Sequence, residues 1–246
     1  MTALALDGLS VRYGGVTALD GLSLRHDAGG VVGLIGPNGA GKTTLLNVLS
    51  GVLRPTAGTA RLDGADLGRL PAHRICALGV ARTFQDLKVF TSLTALENVL
   101  VPATARAGLA AAALGRGETA RRAEAAGLLD RVGLAAAAAT RAGALPYGSQ
   151  RRLELARALA ARPRLLLLDE PLAGLSGAES ADLTALVAAI AASGVTVLLV
   201  EHDVASVLAV SDRVVVLDHG GLLADGTPAE VRADPAVRAA YLGAAT

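Results

Sequence analysis

The chain has 246 residues, 52% of them hydrophobic but only 2% aromatic, with a formal net charge of +1 and a mean hydropathy of +0.48. That length suits one large α/β domain rather than a small stapled scaffold; a balanced charge without a basic face or an aromatic stacking set gives no nucleic-acid footprint; and no window approaches 18 uninterrupted apolar residues, so no membrane helix is expected. The single Cys76 excludes a disulfide framework and a zinc cluster and fits a reducing cytosol, and the N-terminal run Met1 to Asp7 lacks the basic start of a signal peptide.

In chain order, residues 3–30 alternate as paired strands do, with Leu4, Leu6, Leu9, Val11 and Tyr13 before a turn at Gly14-Gly15 and Leu19, Leu22 and Leu24 after it. An antiparallel sheet is therefore expected ahead of the apolar strand Val31–Ile35. The glycine-rich segment after that strand leads into a helix beginning near Thr44. A further strand is predicted near Gly58–Asp63, where Asp63-Gly64 is a turn signal. From about Lys88 to Pro163 the pattern becomes helical and alanine-rich, with runs at Ala110–Ala113 and Ala135–Ala139 read as helix filler. Strands return at Leu165–Leu168 and Val195–Val200, separated by a helix at about Ala178–Ala192. This strand–helix–strand cadence implies a parallel sheet. Arg213–Leu217 and Leu222–Ala224 form a last pair, and Thr227-Pro228-Ala229-Glu230 has the cap, first-turn proline and reciprocal glutamate of a helix start.

The glycine-rich segment Gly36-Pro37-Asn38-Gly39-Ala40-Gly41-Lys42-Thr43 is a complete G-x-x-x-x-G-K-[ST] loop set between strand and helix, the context the motif requires. Its glycines let successive N–H groups turn inward onto phosphate oxygens, assisted by the positive end of the helix opened by Thr43 and Thr44. Lys42 is expected to bridge the β- and γ-phosphates and the Thr43 hydroxyl to hold Mg²⁺. Only two of the 23 basic residues are lysines, Lys42 and Lys88, so one of the two sits in the loop, where a compact ammonium fits between phosphates better than a planar guanidinium. Neither lysine follows an asparagine, so the Asn-Lys-x-Asp reader of a GTPase is missing and ATP, or an unselective purine pocket, is expected. The strand Leu165–Leu168 runs into Asp169 and Glu170. In a parallel sheet ligands gather at the carboxyl ends of strands, so Asp169 is expected to hold Mg²⁺ and Glu170 to activate the attacking water. Strand 196–200 ends in Glu201-His202-Asp203, placing His202 where it can hydrogen-bond a γ-phosphate. Gln85, after the short apolar stretch Val80-Ala81, is a candidate ligand to Mg²⁺ or water through its amide oxygen.

Together these elements resemble the nucleotide-binding subunit of an ATP-binding cassette (ABC) transporter over nearly the whole chain. The resemblance implies one ABC ATPase domain over residues 1–246: a phosphate-loop α/β core built on a mainly parallel sheet, with an N-terminal antiparallel β subdomain and an α-helical subdomain inserted at about 88–163. It implies that Tyr13 stacks on adenine and that Gln85 forms the Q-loop. It also implies that the signature segment Pro146-Tyr147-Gly148-Ser149-Gln150 binds the ATP of a second subunit packed head to tail, through Gly148, Ser149 and Gln150. This segment departs from the common Leu-Ser-Gly-Gly-Gln, with Tyr147 read at the serine position. Ser176 stands where the D-loop usually carries Asp.

Ala81-Arg82-Thr83-Phe84-Gln85 with Phe90 and Asn98, Tyr147-Gly148 followed by Gln150-Arg151-Arg152-Leu153-Glu154, Ser211-Asp212-Arg213 and Ala240-Tyr241-Leu242-Gly243 narrow the resemblance to the LivG-type ATPase of branched-chain amino-acid importers. Such a subunit implies a LivF-type partner or a second copy of itself, two membrane permeases and an extracytoplasmic binding protein. Its expected place is the cytoplasmic face of the membrane, as a peripheral subunit. Importers of urea or short amides use similar ATPases. A soluble ABC ATPase of DNA repair or translation would bring coiled coils, zinc cysteines or tandem cassettes, for which the sequence gives no sign.

Overall fold

The alternating N-terminal residues form two long antiparallel strands, β1 (Thr2–Tyr13) and β2 (Val16–Asp27). Leu4, Leu6, Leu9 and Val11 of β1 and Leu19, Leu22 and Leu24 of β2 are all buried in one apolar cluster. With β4 (Ala57–Leu62) and β5 (Ala65–Asp66) they make a four-stranded antiparallel sheet in the order β2-β1-β4-β5. The turn between the last two uses Asp63 and Gly64, both at positive φ, the geometry that an Asp-Gly hairpin supplies.

The computed structural model describes residues 2–107, 114, 115 and 117–242. By contacts the chain divides into two units, Met1–Val80 with Arg164–Glu170 and Val187–Thr246, and Ala81–Pro163 with Pro171–Leu186. In the first unit the second sheet is built around β3 (Val31–Ile35), which pairs in parallel with β8 (Thr196–Val200) on one side and β9 (Arg213–Asp218) on the other. β7 (Leu165–Asp169) extends it in parallel beyond β8, and β10 (Gly221–Gly226) closes the opposite edge antiparallel to β9. The full order is β10-β9-β3-β8-β7-β6, where β6 (Val80–Arg82) is the strand at which the chain leaves the first unit. Every residue of β3, β7 and β8 is buried, as expected for strands covered on both faces. The three central parallel strands end in Ile35, Asp169 and Val200, and the segments just past those ends form the candidate site. Helix α1 (Lys42–Leu49) leaves β3, α2 (Ala72–Ala77) comes after the antiparallel sheet, and α7 (Val204–Val210) leaves β8. Helix α8 (Pro228–Ala233) begins with the capping box predicted for it: the Thr227 hydroxyl accepts from the Glu230 amide, and Glu230 accepts from the Thr227 amide in return.

The second unit holds α3 (Ala95–Ala107), α4 (Glu118–Arg131), α5 (Tyr147–Ala160) and the first turns of α6 (Gly177–Ala192). Its core joins Val99, Leu129, Leu134 and Leu153 to buried alanines at 95, 103, 125, 142, 156 and 160. Those alanines are contact surface that lets helices approach, more than filler. Ala135–Ala139 is not α-helical: Ala135–Ala137 form a single 3₁₀ turn closed by the Ala138 amide donating to the Ala135 carbonyl at 3.3 Å. Five alanines between Leu134 and Thr140 are too few to meet the cost of nucleating an α-helix. The run Ala110–Ala113 lies outside the described residues. This unit runs from Ala81 to Pro163 and takes in Pro171–Leu186 as well. Among the described residues no helix is long and apolar enough to cross a membrane.

Candidate active site

The phosphate loop is shaped by what surrounds its glycines. Gly36 leaves β3 at φ +152°, and an added Cβ would lie 2.2 Å from the Leu217 carbonyl oxygen, so the strand exit tolerates no side chain. Gly41 is the N-cap of α1 at φ +103°, where a Cβ would meet the Ala18 carbonyl at 2.6 Å. Between them the Ala40 amide closes the turn onto the Pro37 carbonyl at 3.1 Å. Helix α1 has no side-chain cap and no acidic residue in its first turn. Its first amides are thus left for a ligand, at the positive end of the helix dipole.

Lys42 is 8% exposed and donates from Nζ to the Gly36 and Pro37 carbonyls at 2.6 and 3.0 Å. Burial pushes its ammonium below the usual lysine range, opposed by the carboxylates of Glu170 and Asp169. The parallel register of β7 and β8 sets Asp169 beside Val200, and the Glu170 amide donates to the Val200 carbonyl at 2.9 Å. Glu170 is held at φ +50°, a left-handed conformation that costs a residue with a Cβ about 1–3 kcal/mol and persists only where its surroundings impose it. Its Oε1 lies 2.8 Å from Nε2 of the exposed His202, the residue two past the end of β8. Asn38, Gly39, Ala40, Gly41, Lys42, Thr43 and Thr44 line one open cleft of about 270 Å³ with Glu170, Val200 and His202.

A nucleoside triphosphate fits this cleft by its donor set: uncapped helix amides, a buried ammonium, and open space over Gly39, where a Cβ would meet nothing within 4 Å. The described residues contain no cluster of three or more side chains able to hold a metal. Mg²⁺ characteristically binds through one or two protein oxygens and substrate phosphates rather than in an all-protein cage. Thr43, whose exposed side chain lines the cleft, and the buried Asp169, just before the cleft-lining Glu170, are the candidates to supply those oxygens.

Of the predicted residues, the loop, Asp169, Glu170 and His202 belong to the first unit, whereas Gln85, Gly148, Ser149 and Gln150 belong to the second. Tyr13, 48% exposed at the end of β1, is outside the residues that line the cleft. Gln85 is exposed, and its carbonyl accepts from Arg151 Nη2 at 2.7 Å. Gly148, buried, and Ser149 and Gln150 form the first turn of α5, where Gln150 Nε2 donates to the Leu145 carbonyl at 2.8 Å. The N-cap of α5 is Pro146, with no side-chain cap. Arg151 and Glu154, read in the sequence only as part of the segment after Tyr147-Gly148, are a buried ion pair at 3.4 Å. The i, i+4, i+7 spacing of Tyr147, Arg151 and Glu154 puts all three on one helix face and was the available signal.

A glycine loop after β3, a lysine at the head of a helix and two acids at the end of β7, two strands along in the same sheet, define a phosphate-loop nucleoside-triphosphatase core. Residues 19–173 match the ABC transporter family model, and residues 222–246 match that of the branched-chain amino acid ATP-binding cassette transporter. The chain belongs to the ABC transporter family. It is 47% identical to the high-affinity branched-chain amino acid transport ATP-binding protein BraF of Pseudomonas aeruginosa, across 98% of each chain. With the corresponding LivG protein of Salmonella typhimurium it shares 43% identity over 98% of each. Among solved structures, the ADP conformation of an ABC-transporter ATP-binding cassette superimposes with a TM-score of 0.87 over 99% of each chain at 30% identity.

Proposed function

We propose that this chain is the ATP-binding and ATP-hydrolysing subunit of an importer of branched-chain amino acids, working as one ABC ATPase domain whose helical unit is the inserted subdomain. The observation that carries the reading is the buried Lys42 at the head of α1, with the carboxylates of Asp169 and Glu170 acting on its ammonium. ATP enters with its phosphates on the loop amides from Gly36 to Thr44 and its adenine against Tyr13. Lys42 spans the β- and γ-phosphates. Thr43, Asp169 and Gln85 would hold Mg²⁺, which when bound would neutralise charge that builds on the phosphate oxygens. Glu170 accepts a proton from the attacking water as the bond from the γ-phosphorus to the β–γ bridging oxygen breaks, and His202, already 2.8 Å from its carboxylate, orients it and the departing phosphate. The chemistry is mostly positioning and charge stabilisation.

Cassettes of this family work in pairs beside membrane permeases. In this chain that pairing supplies the missing half of the site: Gly148, Ser149 and Gln150 at the uncapped start of α5 close on the ATP of a LivF-type partner or a second copy, and the partner's equivalent closes on Lys42. The pair sits peripherally at the cytoplasmic face, beneath two permease subunits and, through them, an extracytoplasmic binding protein. The test is reconstitution of the chain with its partner subunits in proteoliposomes. ATP hydrolysis rises when binding protein loaded with leucine, isoleucine or valine is present; stimulation by urea or short amides instead would reassign the substrate, and no hydrolysis under any condition would remove the reading.

A further inference from the structure

Arg151 is 5% exposed, yet its guanidinium makes contacts in four directions within the second unit. Nε and Nη2 donate to the Tyr147 hydroxyl at 3.1 and 2.7 Å, and Nη2 also donates to the Gln85 carbonyl at 2.7 Å. Nη1 reaches the Phe84 carbonyl at 3.3 Å and Glu154 Oε2 at 3.4 Å. The Tyr147 hydroxyl, accepting from Arg151, donates in turn to the Ala173 carbonyl at 3.2 Å. Its ring packs on the same turn: a Cβ added to Gly174 would come within 3.1 Å of Tyr147 Cε1. Glu154 completes the set by accepting from the Lys88 amide at 3.3 Å.

Three segments far apart in sequence, 84–88, 147–154 and 173–174, thus meet on one hydroxyl and one guanidinium. No other side chain could do this. A hydroxyl accepts and donates at once, and only the planar five-donor fork of arginine reaches a phenol, two carbonyls and a carboxylate together. A buried charge with so many partners is over-determined: loosening one contact leaves a desolvated group to find another.

We propose that Tyr147 and Arg151 act as a strap that makes the Gln85 loop, the start of α5 and the Ala173–Ser176 turn move as one body, so that both are positioning residues for hydrolysis. This rests on the function proposed above, because the strapped segments matter to the reaction only if Gln85 and the α5 N-terminus face ATP. Neither residue touches the reacting atoms.

The test compares the parent with Tyr147→Phe, which keeps the ring, and Arg151→Lys, which keeps the charge, in the assembled transporter. Both variants lower kcat for ATP by about tenfold, with KM for ATP unchanged and thermal unfolding within a few degrees of the parent. Hydrogen exchange of the isolated chain gives a second readout that needs no activity: in Tyr147→Phe the amides of 84–88 and 173–176 exchange faster together. An unchanged kcat, or a kcat that falls only with folded fraction, overturns the strap, as does faster exchange confined to one segment. If the parent transporter itself hydrolyses no ATP, the proposed function has failed instead, and the exchange result still decides whether the segments are coupled.

Discussion

Replacing Gly41 by alanine separates the two demands that the phosphate loop places on its glycines. At φ +103° a residue with a Cβ carries a backbone penalty of about 1–2 kcal/mol. The new methyl would also sit 2.6 Å from the Ala18 carbonyl oxygen and 2.7 Å from Leu19 Cδ2, and Leu19 is fully buried in β2, so neither neighbour can yield cheaply. Overpacking of that kind adds about 1–3 kcal/mol. The sum, about 3 kcal/mol, corresponds to a fall in Tm of about 6–12 °C for a chain of this size. Gly39→Ala is the control: φ is +82°, but nothing lies within 4 Å of the added methyl, so the backbone term acts alone and the Tm falls by about 2–4 °C for each kcal/mol of it. Differential scanning calorimetry of both variants without nucleotide measures the difference. Equal shifts for the two would refute the claim that contacts from β2, and not backbone conformation alone, require glycine at the head of α1.

Lys42→Ala removes a charged donor from a site with no other lysine, and nucleotide affinity should weaken about 10- to 150-fold, the equivalent of about 1.5–3 kcal/mol, in a fluorescent-nucleotide titration. Asp203 caps α7 by accepting from the Ala205 and Ser206 amides at 3.2 and 3.1 Å, so Asp203→Ala should cost about 1 kcal/mol in urea unfolding at neutral pH. The Ser206 hydroxyl, followed by those two amides, holds the Asp203 carboxyl below its ordinary value of 3.8. Its stabilisation is therefore present above that value and lost as the pH falls through the folded one. Asp203→Asn should flatten that acid limb of the stability curve, and an unchanged limb would show that other carboxylates dominate it. Chelating Mg²⁺ should abolish hydrolysis while leaving the Tm of the nucleotide-free chain unchanged, because Mg²⁺ at such sites is held largely through the phosphates of the bound nucleotide.

The parts of this molecule that were legible in the sequence are those whose cause is local. The loop from Gly36 to Thr43, the apolar quartet running into Asp169 and the capping box at Thr227 each carry their geometry within a few residues, and each lies where the residues predicted it. The alternation of β1 and β2 survived because one face is buried throughout. The features that escaped were non-local. Nothing in the run after Glu170 indicates that Pro171–Leu186 belongs with Ala81–Pro163, and Arg151 finds its carbonyls at Phe84 and Gln85, over sixty residues upstream. The five alanines at 135–139 read as helix by propensity, but a 3₁₀ turn is all that so short a segment sustains. Nor does sequence reveal that Glu170 sits at positive φ, since glutamate has no preference for it; the strand end and the Val200 carbonyl impose it.

The central claim is that Glu170 accepts the proton of the water that attacks ATP bound on the Lys42 loop, with His202 holding it in place. Glu170→Gln keeps the size of the side chain and its capacity to hydrogen-bond His202, but loses the base. Measured side by side in the assembled transporter, ATP binding should stay within about threefold of the parent while single-turnover hydrolysis falls by at least about a hundredfold. Near-normal hydrolysis by that variant would contradict the account.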